Sequence, residues 1–169
     1  MHIRPYVVQD TAAITTLFHD TIHHINSRDY TPNQINAWAP PDLNIDFWVK
    51  RLSQSITYVA EQDYIVGFGN LESNGHLDCF YCHKDFQGMG VGSRLLATLE
   101  AVARSQGIQT LTTEASITAR SFFEAKGFRL ITPQTVERRG QSFLNFVMEK
   151  NLIDNKNDFE HSKVYQRPG

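Results

Sequence analysis

At 169 residues, 41% hydrophobic and 20% charged, the chain has the composition of one folded domain that can bury a core without disulfide or metal staples. A net charge of −2 with both signs interspersed excludes the basic surface of a nucleic-acid binder. The apolar runs are too short to span a bilayer, and MHIRPYVVQD lacks a signal-peptide pattern, so the expected setting is the cytoplasm, away from membranes. In chain order, Ile3 to Val8 reads as a strand. Asp10 or Thr11 then caps a helix with Ile14, Leu17, Phe18, Ile22 and Ile25 on one stripe. Thr31, Pro32 and Gln34 form the start of a second, short helix with a capping box, which stops before Pro40-Pro41. A third helical piece carries Ile45, Trp48, Val49 and Leu52 at helical spacing. ITYVAE, YIVGFGNLE and HLDCFYC predict three successive antiparallel strands, turning near Gln62-Asp63 and at Asn74-Gly75. A glycine-led helix follows, with Val91, Leu95, Leu96, Leu99, Val102 and Ala103 on its apolar side and Gly107 at its end. TLTTEA is then a strand, TARSFFEAKG a helix and FRLI another strand, and QTVER with SFLNFVMEK a final hairpin around Arg139-Gly140. Residues 1–151 form the domain and 152–169 a polar tail. The fold class expected is α/β, a mixed, mostly antiparallel sheet flanked by helices.

Three clusters bear on chemistry. Cys79 and Cys82 have metal or redox spacing, but residues three apart on a strand face opposite ways, and no second cysteine pair completes a zinc set. His19 and His23 lie four apart on a predicted helix, beside His24, without a carboxylate pattern to finish a metal site. The expectation is no metal. The third cluster is Gly88, Gly90 and Gly92, leading straight into a helix. The first amides of a helix have no partner inside it and carry partial positive charge, and glycine lets an anion approach, so this turn suits a phosphate. A Gly-Lys-Ser/Thr loop is absent, and G-x-G-x-G is not the dinucleotide spacing, although Glu114 lies downstream where that fold would place its ribose-binding acid.

Gln87-Gly88-Met89-Gly90-Val91-Gly92 resembles Q/R-x-x-G-x-G/A, the acyl-CoA pyrophosphate loop of the GNAT N-acetyltransferases. Ala119 to Phe128, ARSFFEAKGF, resembles the A-x-x-L/F-Y-x-x-x-G-F segment that follows it in that family. YTPNQINAWAP, EASITARSFFEAKGF and VERRG together resemble a YafP-like branch. The resemblance implies the GNAT fold, acetyl-CoA as co-substrate, a primary amine of a small molecule or protein as acceptor, and direct transfer without a covalent enzyme intermediate. It implies that the strand Phe80, Tyr81 and Cys82 pairs by backbone with the pantetheine arm. It further implies that Gln87, Gly88, Met89, Gly90, Val91, Gly92 and Ser93 cradle the pyrophosphate. Ser116 matches a position often held by a pantetheine-binding Asn, Ala119 opens the second motif, and Phe123 stands where the family commonly has a Tyr near the sulfur.

A Phe there cannot donate a proton to the departing thiolate. A thiol near pKa ~8.5 lies about 2 kcal/mol from neutral pH and an alkylammonium near ~10.4 about 4.6 kcal/mol, so a base matters more than an acid. Glu114, closing its strand, is the expected base, with His83 a second candidate and Asp78 and Glu72 weaker ones. Tyr81 is a hydroxyl that could protonate the sulfur, and a backbone N–H near Cys82 could polarise the thioester carbonyl. Tyr30 and Trp38 are expected to line the acceptor cleft, with selectivity set between His19 and Trp38 and between Val136 and Leu144. The final hairpin could pair with a second chain, leaving a homodimer open. The alternative reading is a catalytically weak acyl-CoA-binding sensor or partner module, motivated by Phe123. A nucleotide-binding oxidoreductase is a more distant rival.

Overall fold

The computed structural model describes residues 1–153, so the tail beyond Ile153 lies outside the described residues. Seven strands form one sheet: β1 (His2–Pro5), β2 (Ile56–Glu61), β3 (Ile65–Leu71), β4 (His76–Cys82), β5 (Thr110–Ser116), β6 (Arg129–Arg138) and β7 (Gln141–Asn151). Their order is β1-β2-β3-β4-β5-β7-β6, and only the β4–β5 pair is parallel. The helices are α1 (Thr11–His24), α2 (Pro32–Trp38), α3 (Ile45–Ser53), α4 (Val91–Ser105) and α5 (Arg120–Ala125). The expected mixed, mostly antiparallel α/β architecture is what the chain adopts.

Strand alternation divides the core between the two faces of the sheet. On one face α1, α2 and α3 bury Ile14, Phe18, Ile35 and Trp48 against Val59, Phe68, Cys79 and Phe143. On the other, Leu95, Leu96 and Leu99 of α4 and Phe123 of α5 pack on Leu77, Leu111, Ala115 and Met148. Cys79 belongs to the first cluster and Cys82 packs beside the third, with Val91 and Ala60, so the two thiols do face opposite ways.

Several local readings change. The first strand ends at Pro5, not Val8, and Val8–Asp10 is a 3-10 turn. Asp10 does not cap α1 with its side chain; it accepts from the Val7 amide at 2.9 Å and pairs with Arg4 at 2.8 Å. Ile45 of α3 is exposed, while Trp48 and Leu52 are buried, so α3 is anchored by its second half. FRLI and QTVER are one ten-residue strand, β6. Pro133 inside it is tolerated because β6 is the sheet edge, where a missing donor breaks no ladder bond. The Thr31–Gln34 capping box forms as expected: Gln34 N donates to Thr31 Oγ1 at 3.2 Å and Thr31 N to Gln34 Oε1 at 2.8 Å. Leu152, read as the first residue of the tail, is buried, and its amide donates to Gln109 O at 2.8 Å.

Candidate active site

The site begins with a defect in the sheet. Asn70 of β3 faces Cys79 of β4, but the next residue, Leu71, faces Leu77, so Asp78 is an extra residue, a β-bulge. The buried Asn70 side chain repairs the ladder there: its Oδ1 accepts from Cys79 N at 2.8 Å and its Nδ2 reaches Asp78 Oδ2 at 3.3 Å. The bulge turns Asp78 toward α3, where Arg51 donates two hydrogen bonds to it, at 2.6 and 2.7 Å. It also bends β4 away from β5. The two strands pair only at His76–Thr112 and Leu77–Thr113 and then separate. Beyond that fork, His83 N still donates to Val66 O on the β3 side, so alternation points the backbone groups of Phe80 and Cys82 into the gap.

A cleft of about 360 Å³ fills the fork on the α4–α5 side. Its floor is the loop from Gln87 to Ser93. Gly88 and Gly90 have φ of +72° and +80°, a left-handed backbone that side chains other than glycine adopt at a cost, and nothing lies within 4 Å of where a Cβ would stand on either. Gly92 has a different reason to be glycine. It sits inside α4, and a Cβ there would come within 3.1 Å of the Phe122 ring and 3.4 Å of Cys82 Sγ. The first helical bond of α4 runs from Arg94 N to Gly90 O, so the amides of Gly90, Val91, Gly92 and Ser93 find no acceptor among the described residues. Gln87 lines the cleft, and its Nε2 donates to Cys82 O at 2.8 Å, fastening the loop to the end of β4. Met89, in the same loop, is exposed.

The remaining sequence-derived residues fall around this cleft. Phe80, Tyr81, Cys82, Ser116, Ala119 and Phe123 all line it. Ser116 Oγ accepts from Ala119 N at 3.0 Å, closing the turn into α5. Phe123 is buried among Phe80, Phe122 and Phe128, with ring centroids 5.0 to 5.6 Å away. Burial pushes the Cys82 thiol up to about 12, so it stays protonated and serves as an apolar wall. Tyr81 stacks on Phe68 at 5.7 Å, and burial pushes its phenol well above the usual range.

A second cavity of about 130 Å³ opens on the opposite face of the same gap. Trp38, Asp78, Tyr81, Glu114 and Ser116 line both, so the gap between β4 and β5 joins them. Glu114 stands on β5 opposite Val147, exposed and without a hydrogen-bond or ion-pair partner among the described residues. Tyr30 and Trp38 line this cavity; the Tyr30 hydroxyl accepts from Ile117 N and donates to Leu144 O, both at 2.9 Å.

Other candidates are drawn elsewhere. His83 lines neither cavity and accepts from Asp85 N at 3.2 Å, holding a turn. Glu72 sits in the β3–β4 hairpin, where its amide donates to His76 O. Asp78 is present but engaged. Burial opposes its ionisation, yet the Arg51 hydrogen bonds and charge outweigh that and hold the carboxyl below its usual value, which makes it a poor base. His19 and His23 stack at 4.1 Å, and His23 Nε2 lies 2.8 Å from Ala39 O, tying α1 to the end of α2. The sequence reading missed Asn70, Arg51 and Asn145. An asparagine in the middle of the apolar run YIVGFGNLE was the available signal for the first; the others carry none.

The chain matches known proteins along most of its length. A family model described as an acetyltransferase (GNAT) domain matches residues 26–150. The uncharacterized N-acetyltransferase YafP of Escherichia coli (strain K12) is 34% identical over 149 residues, 88% of this chain and 94% of the relative. The crystal structure of a GCN5-related N-acetyltransferase from Rhodopseudomonas palustris superposes with a TM-score of 0.85 at 32% identity, over 89% of this chain and 94% of that one. The PaiA N-acetyltransferase of Thermoplasma acidophilum, solved in complex with coenzyme A, has the same fold, with a TM-score of 0.74 at 16% identity over 89% and 98% of the two chains. A forked sheet, a helix with free leading amides at the fork, and a match over most of its length make this chain a member of the GNAT family of N-acetyltransferases.

Proposed function

We propose that this chain moves an acetyl group from acetyl-CoA to a primary amine, with the two substrates entering the β4–β5 gap from opposite faces. The observation that carries this reading is the set of unpartnered amides from Gly90 to Ser93, opening into the larger cleft beneath two glycines with free space above them. Such a turn holds a diphosphate by charge and hydrogen bonding at once. The Phe80 backbone and the Cys82 N–H, which face the gap, offer an extended pantetheine arm a strand-like partner, and Ser116 and Ala119 close the opposite wall. No group of three His, Cys, Asp or Glu suited to a metal ion occurs among the described residues, and the reading uses none. No helix among the described residues is long and apolar enough to cross a membrane. The free thiols of Cys79 and Cys82 favour a cytoplasmic setting.

Acetyl-CoA supplies the activated thioester. Cys82 N–H, facing the gap, donates to the oxygen on which charge develops. Glu114, at the junction of the two cavities, takes the proton lost by the acceptor nitrogen as it gains the acetyl carbon, directly or through one water. As the carbon–sulfur bond breaks, its electron pair stays on the sulfur, which leaves as a thiolate and is protonated by water. Tyr81 lines the gap and stays protonated, so it donates a hydrogen bond at the sulfur; its raised pKa makes it a weak acid for full proton transfer.

Gly90→Glu tests the cradle. A carboxylate beside a bound diphosphate costs several kcal/mol, so CoA affinity measured by calorimetry falls by about two orders of magnitude or more. Gly90→Asn is the control, since asparagine accepts a left-handed backbone and adds no charge. A folded Gly90→Glu protein with unchanged CoA affinity would refute the reading.

A further inference from the structure

The smaller cavity carries a charge pattern that acetyl transfer alone does not require. Of its four charged side chains, Arg51 and Asp78 neutralise each other at 2.6 Å. Glu114 and Arg138 remain, one on β5 and one near the tip of the β6–β7 hairpin, and neither has an ion-pair partner among the described residues. Burial raises the Cys79 thiol and the Tyr81 phenol, and the Arg138 guanidinium is among the cations that offset it, so its charge is felt on the β4 wall. Between the two charges, on β7, sits Asn145. Its side-chain amide makes no hydrogen bond among the described residues, and its Oδ1 is a fully buried side-chain acceptor without a donor. Such atoms are rare in folded proteins and call for a partner, which a water or a ligand in the cavity can supply. Phe18, Tyr30, Trp38 and Phe143 give the wall an aromatic patch, and His76 and Ser116 add polar groups to it. At about 130 Å³ the cavity suits a small molecule.

An anionic group, a cationic one, an orphaned acceptor and a patch of aromatic side chains in an otherwise polar wall complement a small zwitterion. We infer that the acceptor is an amino acid-type molecule: its amine meets Glu114 and Asn145 Oδ1, its carboxylate pairs with Arg138, and its apolar body lies among Phe18, Trp38 and Phe143. This rests on the assignment of the two cavities above.

The test follows thiol release from acetyl-CoA with leucine and phenylalanine, with their amides, and with 3-methylbutylamine and 2-phenylethylamine, which lack the carboxylate. The amino acids should be preferred by about 10- to 100-fold in kcat/KM, the range for a charge-assisted pair. Amines differ in basicity, so the assignment is read from Arg138→Ala, which should raise KM for the amino acids and bring the preference toward one. Arg138→Lys should restore part of it, and Asn145→Ala should raise KM for amino acids and plain amines alike. Carboxylate-free amines turned over as well as the amino acids, no turnover of either amino acid, or a preference untouched in Arg138→Ala would each overturn the inference. Titration of the wild-type protein with CoA separates the two levels. CoA bound without carboxylate preference overturns the acceptor alone; CoA not bound overturns the cavity assignment with it.

Discussion

Glu114 and Tyr81 differ in what their surroundings permit. Glu114 lines both cavities and is bonded to nothing among the described residues, as the proposed base must be. Tyr81 is enclosed by Phe18 and Phe68, and burial binds its proton more tightly. Two unequal losses follow. Glu114→Gln should lower kcat by about 10²- to 10⁴-fold, the usual contribution of a positioned base. Tyr81→Phe should cost about tenfold, the worth of one hydrogen bond at the sulfur. Steady-state kinetics at saturating acetyl-CoA measures both, and a Tyr81→Phe loss equal to that of Glu114→Gln would contradict this division of labour between the two side chains. These residues were legible as candidates through the family resemblance, which set Glu114 on the strand after the glycine-led helix and Tyr81 on the strand matched to the pantetheine arm. Asp78 already read as a weaker candidate, but the cause was not legible, since its partner Arg51 lies 27 residues away in sequence.

Among the elements, the β4 bulge and α4 set the site. At the bulge, Asp78, its side chain only 20% exposed, is paired with Arg51. Its folded pKa lies below the unfolded value near ~3.9, so the pair's stabilisation is present above that range and is lost as pH falls through the lowered value. Asp78→Asn should therefore reduce stability by about 2 kcal/mol at pH 7, and the gap to wild type should narrow below about pH 4. Urea unfolding at pH 7 and pH 3 checks the sign. The seat of α4 depends on absent side chains. A Cβ at Gly92 would press on Phe122, and one at Gly67 of β3 would stand 2.8 Å from Val91 Cγ1. Gly92→Ala should cost about 1–3 kcal/mol by overpacking, visible as a lower Tm. At this scale the sequence was half legible. The three glycines read as one device, but two serve the turn and the third serves packing, a distinction set by the position of Phe122 on another helix.

Across the whole molecule, the first third of the chain is held to the last third by few polar contacts, and these close the acceptor side. The Tyr30 hydroxyl joins the segment between α1 and α2 to Ile117 after β5 and to Leu144 in β7. Arg139 Nη1 donates to Ala37 O at 2.6 Å, and Gln34 Nε2 to Ser142 O at 2.7 Å. Tyr30→Phe leaves the Leu144 carbonyl and the Ile117 amide without their partner, so it should destabilise by about 1–3 kcal/mol. It should also raise the acceptor KM more than that of acetyl-CoA, which two-substrate kinetics reads. The sequence alone determined most of the strands and helices, the mixed sheet and the glycine turn at the head of α4. Those depend on local periodicity, capping and glycine spacing, which a single stretch of chain carries within itself. Tertiary structure alone decided which carboxylate is free, where the sheet forks, and that Arg138, Asn145 and Glu114 surround one cavity. Such facts depend on strand order and on pairings between residues far apart in sequence, and no local pattern encodes the distance between them.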